Sequence, residues 1–135
     1  MSSMSVQDAV ETLSFPYYDQ GLKAVAISDR DGVTLVKCLS STASPSILEQ
    51  VLPTTFAVAN AQASKLGLKK NKSIVSIFGL HQVVQLDQSP LIITMVANAH
   101  ANTGALLDLG NALKEITQVI VNAMQKQQAG NGGVV

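Results

Sequence analysis

Residues 72–97 hold three strand-length apolar segments with almost nothing between them. KSIVSIF, HQVVQLD and LIITMVA are parted only by a break at Gly79 and by Gln88-Ser89-Pro90. A parallel pair needs a crossover of about a dozen residues or more, so links this short admit only antiparallel neighbours. The segment therefore reads as an antiparallel meander, with strands at Lys72–Phe78, His81–Asp87 and Leu91–Ala97. LIITMVA is almost continuously apolar, which places it in the sheet interior with both faces covered.

The remaining segments fit around that sheet. Leu22–Ser28 and Val33–Cys38 read as strands joined by Asp29-Arg30-Asp31-Gly32, where glycine suits a positive φ. Val6, Val10 and Leu13 recur at helical spacing, and Pro16 is expected to end that helix. Leu48, Leu52, Phe56, Ala59, Ala63 and Leu66 form one helical stripe across Ile47–Leu66, with a kink or a late start at Pro53. A last helix is expected from an Asn102 or Thr103 cap to about Gln125. Its stripe is Leu106, Leu109, Leu113, Ile116, Ile120 and Met124, widened by Ala105, Ala112, Val119 and Ala123. The order α-β-β-α-β-β-β-α describes an α/β sandwich: a five-stranded antiparallel sheet with one helix on one face and two on the other. Residues 1–128 form one domain, and the glycine-rich residues 129–135 are expected to be a disordered tail.

Charge narrows the partners. Nine basic and nine acidic side chains cancel, so nucleic acid and an anionic membrane are poor main partners. Only 13% of the chain is charged, about half the usual share of roughly 25%, and interface cores are depleted in charge. No basic start and apolar core of a signal peptide is seen, and Cys38 is alone, so a reduced thiol and no disulfide framework are expected.

Catalytic readings fare badly. His81 and His100 lack metal-ligand spacing and read as solvated turn histidines, and no local signature pairs either with Cys38. Asp29 and Asp31 suggest a calcium loop, but Thr34 and Ser40 occupy the positions that need a glycine and a bidentate acid. Residues 67–73, GLKKNKS, end like a phosphate loop without its second glycine or preceding strand. No enzyme activity, metal or cofactor is expected.

Association is better supported. Ala57 and Ala61, with Val58 nearby, lie opposite the Phe56 stripe, where small side chains admit a close helix. Lys65, Lys69, Lys70 and Lys72 form a basic loop that suits either solvent or an acidic partner. The strand Lys72–Phe78 opens the meander and is expected at a sheet edge. Ile74, Val75, Ile77 and Phe78 do nothing to protect such an edge, and only Lys72 does.

Four blocks carry a resemblance: AVAISDRDGVTLVK (24–37), SKLGLKKNKSI (64–74), QVVQL (82–86) and ANTGALLDL (101–109). Together they resemble the MEK-partner scaffolds of the roadblock/longin-like superfamily, over most of the chain. The resemblance implies the same sheet and helix layers and a non-enzymatic scaffold. It further implies a heterodimer with a sister roadblock subunit, built on Ala57, Val58, Ala61, Lys65, Lys72, Ile74, Val75, Ile77 and Phe78. The larger partners implied are the Ragulator complex of late endosomes and lysosomes, the MEK and ERK kinases, and the Rag GTPases of the mTOR pathway. Membrane contact would be indirect, since Met1 is not followed by glycine and no prenylation box is seen. Roadblock-like folds also support regulation of small GTPases, but the single arginine, Arg30, sits between acids and is a poor phosphate ligand.

Overall fold

The structure, a computed structural model, describes residues 5–29, 31–44, 46–48, 73–88 and 90–132. Helix α1 spans Val6–Tyr18 and begins at Ser5, whose hydroxyl accepts the Asp8 N–H at 3.1 Å. A cap of this kind stabilises a helix by about 1 kcal/mol. Pro16 lies inside α1 rather than ending it. Its missing N–H leaves only the carbonyl one turn earlier unbonded, and its fixed φ is compatible with a helix that stops at Tyr18. The Gln20 and Gly21 amides then close onto Tyr17 and Tyr18.

The strands are β1 Leu22–Asp29, β2 Thr34–Leu39, β3 Ser73–Phe78, β4 His81–Gln88 and β5 Leu91–Asn98. They form one antiparallel sheet in the order β2-β1-β5-β4-β3. The most apolar segment, β5, is the central strand as expected, with Leu91, Ile93, Thr94, Met95, Val96 and Ala97 fully buried. In the β1–β2 turn the Asp29 carboxylate accepts the Asp31 and Val33 amides, both at 2.9 Å, and Gly32 takes φ 90°. These acids are turn formers, as their sequence suggested.

Helix α2 spans Thr103–Gly132. Asn102 caps it through its side-chain oxygen and the Ala105 amide, 3.1 Å apart. It therefore runs past the expected end near Gln125, and Ala129–Gly132 are helical rather than tail. Glutamine, lysine and alanine beyond Met124 are good helix formers and carry the ladder on without a core to face. Leu106, Leu109 and Leu113 are buried as the period required. Val119 is not: it is exposed, and the stripe widens on the other side, through Thr117 and Val121. Gly110 permits this, because a Cβ there would lie 2.6 Å from Leu86 Cδ1 and 3.1 Å from Met95 Cε.

Both helices pack on one face of the sheet. Val10 of α1 and Leu106, Leu109 and Leu113 of α2 share a core with Val25, Ile27, Val84, Leu86, Ile93 and Met95. Gln82 of β4 holds the start of α2 in place, accepting the Thr103 hydroxyl at 2.5 Å and donating to the Ala101 carbonyl at 3.1 Å. On the other face Ala24, Ala26, Val83 and Val96 are buried with Ile47 and Leu48. Apart from Ile47 and Leu48, which are helical, the expected middle helix Ile47–Leu66 lies outside the described residues.

Candidate interaction surface

Strand β3 is at one edge of the sheet, paired only with β4. The phase of the antiparallel ladder fixes which of its backbone groups are left open. The Ala99 amide donates to the Leu80 carbonyl at 2.9 Å, continuing the β4–β5 ladder, in which Gln82 faces Ala97 and Val84 faces Met95. Bonded pairs alternate, so His81, Val83 and Gln85 direct their backbone groups toward β3. Their partners Phe78, Ser76 and Ile74 complete those bonds. Ser73, Val75 and Ile77 are left with N–H and C=O pointing away from the sheet.

The side chains of the same residues share the helix-bearing face, where Val75 is in register with Val84 and Ser73 with Leu86. Neither α1 nor α2 reaches far enough to cover them. Val75 is 45% exposed and Ile77 60% exposed. Ile74 points to the opposite face and is half-buried. The turn Gly79-Leu80 closes the hairpin with Gly79 at φ 58° and no positive φ at Leu80, the arrangement of a II′ turn. It projects Leu80, 82% exposed, from the end of the same strand pair.

Of the residues expected at the interface, Ile74, Val75, Ile77 and Phe78 are thus brought together on one edge strand. Ala57, Val58, Ala61, Lys65 and Lys72 lie outside the described residues, as do the rest of the basic loop and Arg30. Sequence reasoning treated the apolar residues of β3 as equivalent; alternation separates Val75 and Ile77 from Ile74, and adds the Ser73 backbone. It also missed Leu80, whose signal was a leucine placed next to a turn glycine.

The groups with chemical potential elsewhere are dispersed. Cys38 is a free, buried thiol, and burial, with the charge of Glu11, pushes it up to about 11 against a hydrogen bond from Gln7. A thiol held that high is a poor nucleophile. His81 opens β4 and His100 lies in the turn after β5. Among the described residues no three His, Cys, Asp or Glu side chains gather as a metal site, and no helix is long and apolar enough to cross a membrane.

Comparison with known proteins is consistent with an interaction role. The sequence profile of a family described as mitogen-activated protein kinase kinase 1 interacting matches residues 6–127. The Xenopus laevis Ragulator complex protein LAMTOR3-A is 42% identical over 107 residues, covering 76% of this chain and 87% of the relative. The Rattus norvegicus Ragulator complex protein LAMTOR3 is 38% identical over 106 residues, covering 78% and 86%. Among solved structures, the gliding protein MglB of Thermus thermophilus superposes with a TM-score of 0.66 at 15% identity, covering 86% of this chain and 90% of that one. A Roadblock/LC7 domain from Streptomyces avermitilis gives 0.61 at 9% identity, covering 75% and 86%. At such identities the structural likeness establishes the roadblock fold and nothing further.

Proposed function

The chain belongs to the mitogen-activated protein kinase kinase 1 interacting family, and from that premise we propose that it is a non-enzymatic scaffold subunit of a Ragulator-type complex. In this reading it pairs with a sister roadblock subunit through β3 and the segment carrying Ala57, Val58 and Ala61. The observation that carries the reading is the open edge: three outward N–H and C=O pairs at Ser73, Val75 and Ile77, beneath two exposed aliphatic side chains. Addition of a partner strand bonds those groups and buries the side chains in one step.

The pair then offers MEK, and ERK after it, a common platform. Rag GTPases and the mTOR complex are reached through the larger assembly. Attachment to late endosomes or lysosomes comes from another, lipidated subunit, in keeping with a family of adaptors rather than membrane proteins.

Co-expression with the sister subunit tests the reading. Ala61→Glu and Ile77→Pro should each abolish co-purification, the first by placing a charge beside the small residues Ala57 and Val58 proposed for the contact and the second by removing an outward N–H. His100→Ala, in the turn after β5, should leave it intact. Co-purification of both interface variants at wild-type yield would place the interface elsewhere.

A further inference from the structure

A strand added at β3 leaves the opposite end of the sheet uncovered, and there α1 and the end of β2 enclose an open cavity of about 410 Å³. Glu11, Phe15 and Tyr18, spaced i, i+4, i+7, present one face of α1 to it. Asp19, at the end of the helix, adds a second carboxylate, and Ser40, Ser41 and Thr42 form the facing wall. Phe15 is 72% exposed, although Val10 and Ser14 on the same helix are fully buried. Its ring meets Tyr18 edge-on, with centroids 6.3 Å apart and planes at 75°.

The charges of this cavity are unbalanced. Among the described residues Glu11 accepts only the neutral Gln7 amide, at 3.3 Å, and neither Glu11 nor Asp19 is in an ion pair. The ammonium of Lys23 is engaged at the far wall, donating to the Thr42 hydroxyl at 3.1 Å. Two carboxylates beside the exposed Phe15 ring repel an anion and give a purely apolar ligand no reason to prefer this place. They suit a cation that is flat, weakly hydrated and rich in donors.

We propose that the cavity receives an arginine side chain of a protein partner. Its guanidinium plane lies on the Phe15 ring while its N–H groups donate to Glu11 and Asp19 and to the hydroxyls of the facing wall. Arginine fits better than lysine, because a planar fork both stacks and bonds carboxylates in pairs. Tyr18, held up at about 12 by burial and then by the charges of Cys38 and Glu11, stays a neutral phenol at the edge of the site. The site lies on α1 and β2, so it stands or falls independently of pairing at β3.

Titration of the ¹⁵N-labelled full chain with Nα-acetyl-arginine N-methylamide tests this. Saturable shift changes are expected at residues 11–19 and 39–42, and none with the uncharged citrulline counterpart. Glu11→Gln combined with Asp19→Asn should weaken binding at least about tenfold, and Phe15→Ala about threefold, in line with a cation–π contact at an exposed ring. All three positions are on the surface, and unchanged shifts in β5 would show that the fold is kept. Scattered or non-saturable shifts, equal binding of the citrulline compound, or undiminished binding by the double carboxylate variant would each overturn the proposal.

Discussion

The two edges of the sheet are built from similar residues and finished in opposite ways. On β2, the Lys37 carbonyl is bonded by the Gln7 side chain at 2.7 Å, and the same amide reaches Cys38 Sγ at 3.3 Å. Helix α1 thus occupies one acceptor of that edge from within the chain, and the Lys37 charge adds a second deterrent to strand addition. On β3, no side chain among the described residues bonds the outward groups of Ser73, Val75 or Ile77. Hydrophobicity alone does not tell the edges apart, since Leu35 on β2 and Val75 on β3 are each 45% exposed. The difference lies in the backbone: on β2 the outward Lys37 carbonyl is bonded from within the chain, whereas no described side chain bonds the outward groups of β3.

The sharpest way to break this comparison is to place proline on each edge. Ile77→Pro should weaken association with the sister subunit by about 3 kcal/mol, roughly 100-fold, measured by calorimetry or interferometry. Lys37→Pro also falls at an outward-facing position on an edge strand, where proline is tolerated, and should leave affinity unchanged. Equal losses would mean that the edges are not distinct. A charge swap at equal exposure sharpens the point. Val75→Asp should cost about tenfold in affinity, whereas Leu35→Asp should alter neither affinity nor stability by more than about 0.5 kcal/mol.

Alkali probes the closed edge. Cys38 rises from 9.0 to about 11 and Tyr18 from 10.0 to about 12 on folding, both chiefly through burial. Each is an acid held neutral in the folded state, so its contribution is complete below the unfolded value and is lost as pH climbs toward the folded one. Stability measured by urea unfolding should therefore fall from about pH 9 upward, and Cys38→Ala should flatten the first part of that decline, between 9 and 11. A wild-type curve with no slope there would contradict the burial of Cys38. The smallest effect is expected from Gln7→Ala, a loss of about 1 kcal/mol in unfolding free energy from the bond to Lys37. It should bring slow self-association of the newly opened β2 edge, visible by light scattering, while binding of the sister subunit is retained.

Much of the architecture was legible because its signals are local. Short links forced the meander, LIITMVA marked the central strand, and Asp29 to Gly32 marked the turn. The errors arose where a local rule met a tertiary or positional context. Pro16 breaks helices in their middle, yet here it lies two residues from the end of α1. Val119 belongs to the stripe by hydropathy, but the helix is rotated so that Gly110 lies on Leu86, and Thr117 and Val121 take the buried positions. The edge position of β3 was legible from the sequence, but which way its residues face was not. Which of Ile74, Val75 and Ile77 face outward depends on the β4–β5 ladder, a pairing no single segment encodes. The cavity of α1 and β2 was invisible for the same reason, since its walls come from residues 11–19 and 39–42.

The pairing of β1 with β5 has a consequence in time. β1 is complete at Asp29, but its inner neighbour is complete only at Asn98. A ribosome adding about 5–20 residues per second needs roughly 3–14 s to span that interval. Throughout it the nascent chain carries a finished strand, apolar from Ala24 to Ile27, whose second side has nothing to bond. The sheet therefore closes late and at its middle, where the β1–β2 hairpin meets the meander of β3, β4 and β5, and a strand left longest without its inner neighbour ends up flanked on both sides.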